Sequence, residues 1–178
     1  NQVKKQKKAG LLKNAIIVEG YMDTIALFQA GFENVVASMG TALTKEQARL
    51  IKRYTDTVYI SYDGDFAGQK GAIRGLEILR DEQINVRVVP LPEGLDPDDV
   101  IKKQGSEGYA RCLEAAMPLI DFKMEVASRQ FDLSKTEEKR NYISAALKVI
   151  AEAESESVKE DLLKKLRDET GMTYESLR

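Results

Sequence analysis

Tyr59-Ile60-Ser61-Tyr62-Asp63-Gly64-Asp65-Phe66-Ala67-Gly68 decides how this chain is read. Val58, Ile60 and Tyr62 have the β-branched and aromatic character of a strand. Gly64 allows a sharp turn between two carboxylates, and a helix is expected to follow. Asp63 and Asp65 then sit at the C-terminal end of a strand, where open α/β sheets bind ligands. Two carboxylates one residue apart repel each other unless a cation lies between them. A hard divalent ion such as Mg2+, which takes oxygen ligands, meets that need. Alone, Asp-Gly-Asp reads equally as an acidic turn without chemistry, because Asp and Gly are common turn residues.

Outward from that turn, strands and helices alternate. Asn14-Ala-Ile-Ile-Val18 is an apolar run suited to a strand buried on both faces. A helix is predicted from Met22 to Ala30, ended by Gly31, followed by a strand over Asn34–Ala37. Thr44 and Gln47 have capping-box spacing and open a helix through Tyr54. The focal strand covers 57–62. The helix after it carries Ile73, Leu76, Ile78 and Leu79, and Val86, Val88 and Val89 form a fourth strand. This alternation predicts βαβ units around a parallel sheet. Beyond Pro92 no strand is expected. Asp96 and Pro97 form a helix start, and helices are predicted near 98–103, 106–115, 118–130, 135–153 and 156–169. Ser134 and Glu137 have the spacing of a second capping box.

Composition narrows the chemistry. The 178 residues contain no histidine, which excludes Ser-His and Cys-His nucleophile pairs and His-ligated zinc. The single cysteine, Cys112, cannot form an internal disulfide, which suits a reducing, cytoplasmic setting. No apolar run is long enough to span a bilayer, so no membrane association is expected. The net charge of -2 conceals a basic opening with Lys4, Lys5, Lys7, Lys8 and Lys13. Such an arm suits a phosphate backbone or a plain solvated helix. Neither a Walker A sequence nor G-x-G-x-x-G after the first strand is present.

Three acidic sites fall at equivalent positions. Glu19 follows the first strand, Asp63 and Asp65 the third, and Asp96 and Asp98 the fourth. A parallel sheet brings all of them to one edge, with Gly20, Gly64 and Gly68 keeping the backbone open. Each close pair costs roughly 1 kcal/mol near about 4 Å even in water, so a cation is expected among them.

Val18-Glu19-Gly20-Tyr21-Met22-Asp23, with Tyr62-Asp63-Gly64-Asp65-x-Ala67-Gly68, resembles the Toprim domain, in the form found in bacterial DNA primases. Ala37-Ser-Met-Gly40-Thr41-Ala-Leu-Thr44 and Leu91-Pro-x-Gly94-x-Asp96-Pro97-Asp98 resemble further primase segments. The resemblance covers about 14–105 and implies an α/β fold. In it a Toprim-like parallel sheet flanked by helices is followed by an all-helical C-terminal subdomain. The implied organisation is a basic segment over 1–13, a Toprim domain over 14–105 and a helical subdomain over 106–178.

The implied function is that of a DNA-directed RNA polymerase. It is a nucleotidyltransferase making short RNA primers on single-stranded DNA during DNA replication, from nucleoside triphosphates, with Mg2+ or Mn2+. Glu19, Asp63 and Asp65 are the implied catalytic residues. Glu19 is either a metal ligand or the group managing protons at the attacking hydroxyl. Asp63 and Asp65 hold one ion, and Asp96 and Asp98 contribute to a second. Lys70 and Arg74, one helical turn apart, either approach nucleotide phosphates or form a solvated face. Whole primases also carry a zinc-binding domain, a basic N-terminal half of the polymerase core and a helicase-binding domain. The chain is therefore expected to be an excised piece, inactive or weakly active alone, with the replicative helicase of the primosome contacted through a domain absent from it. The alternatives are a Toprim-type nuclease using the same metal site, or an inert metal-binding scaffold.

Overall fold

The computed structural model describes residues 4, 5, 8, 12–38, 43–63 and 70–172; the side chains of 70–72 and 74 lie outside that description. Lys4, Lys5 and Lys8 of the basic opening are helical and exposed. Two compact units are present, 1–119 and 120–178.

The first unit is built on β1 (Ala15–Val18), β2 (Val35–Ala37), β3 (Thr57–Ile60) and β4 (Asn85–Val88). They are mutually parallel, and a fifth strand, β5 (Met117–Pro118), completes the order β2-β1-β3-β4-β5. Ile16 registers with Val35 on one side and Tyr59 on the other, so β1 is central, and all four of its residues are buried. This is why the first apolar run lacks alternation: both faces of β1 are covered. Ile16 and Val18 pack with Leu27 of α1 (Tyr21–Gln29) and with Val100 and Tyr109 of α4 (Pro97–Glu114). Ile17, on the alternate face, lines a cavity of about 500 Å³ with Leu43, Leu50 and Ile51. Helices α2 (Lys45–Lys52) and α3 (Lys70–Asp81) pack together, as α1 and α4 do. Three layers result, helix–sheet–helix.

Local signals explain the helix ends. The Thr44 hydroxyl accepts from Gln47 N–H (3.3 Å) and Gln47 Oε1 accepts from Thr44 N–H (3.0 Å), so the expected capping box is formed. Asp96 accepts from Asp99 N–H at 2.7 Å, with Pro97 at the first helical position. The two helices expected over 98–103 and 106–115 form one run interrupted at Gly105, whose φ of 70° and ψ of −174° suit glycine alone.

Three expectations are corrected. A fifth strand, β5 (Met117–Pro118), pairs antiparallel with β4, and the Arg87 guanidinium donates to the Ala116 carbonyl (2.5 Å). Two residues are too few to show a period, and proline is compatible with an edge strand. Residues 106–119, expected to open the helical subdomain, belong to the first unit, because Tyr109, Cys112 and Leu113 pack into the sheet core. Tyr109 is fully buried and meets Phe32 edge-on at 4.9 Å. The Ser134 capping box does not form. Ser134 donates instead to Asp132, and the helix begins after Lys135 without a side-chain cap.

The second unit contains α5 (Leu119–Arg129, entering from the first unit), α6 (Thr136–Ala151) and α7 (Glu156–Thr170). Met124, Tyr142, Ala146, Ile150, Leu162 and Leu166 form its core. Burying each leucine stabilises by about 1.5–3 kcal/mol. Lys123, 9% exposed, is paired with Glu152 at 2.5 Å, as a buried ammonium requires. Gly171 ends α7 in the left-handed conformation, with φ of 67°.

Candidate active site

The strand order places the chemistry. From β1 the chain moves outward to β2, then crosses back past β1 to β3. The crevice between β1 and β3 is thus a topological switch point, the preferred ligand position in open α/β sheets. Glu19 leaves β1 and Asp63 leaves β3, so both stand at this crevice. Parallel bonding continues past the strand ends and fixes the exits of the strands. Ser38 N–H donates to the Val18 carbonyl (2.8 Å), Ser61 N–H to Ile17 (2.9 Å) and Val89 N–H to Ile60 (2.9 Å).

The carboxylates influence one another. Burial first, then the Asp63 charge, holds the Glu19 carboxyl above its usual range, although Asp63 N–H donates to it. Tyr62, whose hydroxyl is pushed up mainly by burial, stands beside Glu19 and Ser38. Asp96 caps α4, and Asp98 in its first turn pairs with Lys102 at 2.5 Å.

One residue of this edge was not picked out from the sequence as part of the site. Asp23, 7% exposed, has Oδ2 accepting from Gly20 N–H (3.2 Å) and Oδ1 accepting from Asp98 N–H (3.4 Å). Burial, and after it the Asp96 and Asp63 charges, raise its pKa against the lowering effect of those donors. Its one local signal is an acid in the first turn after Glu19-Gly20. Gly20 is not needed for backbone freedom: its φ is −124°, and an added Cβ would meet Asp23 at an ordinary 3.5 Å.

Glu19 and Asp63 therefore come together, and Asp23 links them to the Asp96–Asp98 turn. Asp65 belongs to 64–69, outside the described residues, as do the side chains of Lys70 and Arg74, although both residues lie in α3. Among the described residues, no group of three acidic or thiol side chains could by itself hold a metal ion. The donor set nevertheless fits a hard divalent cation. It is entirely oxygen, and two buried or half-buried carboxyls are held above their usual range partly by neighbouring negative charge. No helix among the described residues is long and apolar enough to cross a membrane.

Comparison with known proteins agrees with this geometry. Residues 16–101 match the Toprim-like family model, and 120–173 match the model of the DnaB-helicase binding domain of primase. The sheet is thus that of a Toprim-like domain. The chain is 42% identical over 163 residues to the DNA primase of Clostridium acetobutylicum, covering 91% of this chain and 27% of that protein. It is 35% identical over 164 residues to the Escherichia coli DNA primase, covering 90% of this chain and 28% of that protein. A solved primase catalytic domain bound to single-stranded DNA superposes with a TM-score of 0.73 at 33% identity, over 97% of this chain and 56% of the other. The E. coli primase catalytic core gives 0.71 at 34%, over 96% and 56%. The chain belongs to the bacterial DNA primase family, and it spans about a quarter of the length of these curated relatives. The helicase-binding similarity was expected to lie outside the chain; the match at 120–173 puts it on the chain's own helical unit.

Proposed function

We propose that this chain supplies the acidic catalytic edge for template-directed RNA primer synthesis on single-stranded DNA. The observation that carries the reading is the meeting of Glu19 and Asp63 at the β1–β3 crevice, with Asp96 and Asp98 tied to it through Asp23. Asp63, Asp65, Asp96 and Asp98 would hold Mg2+ or Mn2+. Bound divalent cations would neutralise the nucleoside triphosphate and stabilise the attacking and leaving oxygens. Glu19, beside Asp63 at the β1–β3 crevice, would serve either as a further metal ligand or as the acceptor of the proton from the attacking 3′-hydroxyl. Lys70 and Arg74 would steer phosphates from the start of α3. The helical unit would contact the replicative helicase, which the match at 120–173 supports. The single-stranded template is supported by the DNA-bound relative.

The test uses the full-length protein containing this chain, with single-stranded DNA, nucleoside triphosphates and Mg2+. Short RNA should form, and Glu19→Gln or Asp63→Asn should abolish it. Undiminished RNA from both variants would refute the reading, and shortening of the DNA with Mn2+ would favour the nuclease chemistry instead.

A further inference from the structure

Asp23 is the third residue of α1, a position where a carboxylate often accepts from the N–H of its own helix cap. Such a cap accounts for the bond from Gly20 N–H to Oδ2 at 3.2 Å. It does not account for the second bond, from Asp98 N–H to Oδ1 at 3.4 Å, which comes from a residue 75 positions away. Nor does it account for burial to 7% exposure, since a simple cap faces water.

The Asp98 N–H belongs to the first turn of α4, whose opening N–H groups have no partner within the helix. One carboxylate therefore terminates two helices that pack against each other, and both N-terminal dipoles favour its negative charge. Gly20 is also held from its other side. Its carbonyl accepts from Thr24 Oγ1 at 3.0 Å and from Thr24 N–H at 3.2 Å. Each oxygen of Asp23 is directed at a backbone donor. The side chain is thus placed to join the Glu19-Gly20 turn to the Asp96–Asp98 turn.

We propose that Asp23 is a positioning residue: it bolts the turn carrying Glu19 to the turn carrying Asp96 and Asp98, and so fixes the spacing at which these carboxylates receive a divalent cation. The inference rests on the metal-site reading of the acidic edge. It assigns Asp23 to the protein's backbone and not to the ion.

The experiment compares the 178-residue chain with Asp23→Ala and Asp23→Asn. Amide hydrogen exchange at Gly20 and Asp98 is followed with chelator present, and Mn2+ affinity is measured by titration calorimetry. Asp23→Ala should lose protection at both amides and weaken Mn2+ binding by at least about tenfold, the loss typical when the support of a metal ligand is removed. Asp23→Asn keeps one carbonyl acceptor and sets its NH2 against the other N–H, so it should retain protection at one of the two amides and recover part of the affinity. Equal affinity loss in Asn and Ala, with one amide still protected in Asn, would overturn the proposal, because the retained half of the bridge would then carry nothing. Unchanged affinity in a folded Ala variant whose amides exchange freely would also overturn it, leaving a purely structural bridge. If Ala fails to fold, the Asn variant decides: weakened Mn2+ binding with one amide unprotected supports the bridge, and unchanged affinity with one amide unprotected overturns it. Wild-type chain that binds no Mn2+ would overturn the metal-site reading itself, an outcome distinct from the other two.

Discussion

Replacing Asp96 separates two jobs that one carboxylate performs. Its Oδ1 caps α4 through Asp99 N–H at 2.7 Å, and its charge is one of those that raise Asp23. Asp96→Ala removes both. Losing an N-cap costs about 1 kcal/mol, which for a chain of 178 residues lowers the thermal midpoint by about 2–4 °C. Asp96→Asn keeps the cap, because asparagine caps as well as aspartate. It gives up a favourable charge at the helix N-terminus worth about 0.3–1 kcal/mol. It also relieves repulsion with Asp23 on the order of 1 kcal/mol. These nearly cancel, so the Asn variant should stay within about 0.5 kcal/mol of wild type. Thermal unfolding followed by far-ultraviolet circular dichroism, with chelator present, reads the difference. Adding Mn2+ should then stabilise wild type and stabilise both variants less. An Asn variant that falls as far as Ala in chelator would refute the assignment of the stability role to the cap. An Asn variant that gains as much as wild type from Mn2+ would refute the role given to the charge.

Gly105→Ala meets no atom within 4 Å, so its cost is backbone strain at φ 70°, about 1–3 kcal/mol, visible as a lower urea midpoint. Leu166→Ala empties a fully buried position and should cost the helical unit about 2–5 kcal/mol, measured by the loss of helical ellipticity on heating. Glu19 and Asp23 have folded-state pKa values raised above 4.5 and 3.8, so the native state holds protons more tightly than the unfolded chain. Their effect is absent below those ordinary values, and stability is lost as pH rises through them to the folded values. As pH rises from the ordinary carboxylate range toward neutrality, ion-free wild type should therefore lose more stability than the Glu19→Gln/Asp23→Asn double variant; equal losses in urea titrations would contradict this.

The legible parts of the fold were those with local causes. The uninterrupted apolar β1, the Thr44–Gln47 box, the Asp96-Pro97 start and the break at Gly105 all depend on residues within a few positions. The acidic edge was legible because parallel strands send their C-terminal ends to one side, and Glu19 and Asp63 do meet there. What was missed depends on distant partners. β5 exists because Met117–Pro118 completes the edge of β4, not because two residues have a period. Ser134 has capping-box spacing, but Asp132 lies nearer and takes its hydrogen bonds. Asp23 was not picked out as part of the site because its bond to Asp98 N–H spans 75 positions. The extent of the first unit was misplaced for a similar reason: Tyr109 lies in the stretch expected to open the helical subdomain, and its packing against distant Phe32 and the sheet core places it in the first unit.

Divalent-cation binding at the acidic edge is what the primase chemistry proposed for this chain depends on. Calorimetric titration of Mn2+ into the 178-residue chain and into Asp63→Asn tests it most directly. Wild type should bind Mn2+ saturably and the variant should lose that binding. Equal binding by the two proteins would contradict it.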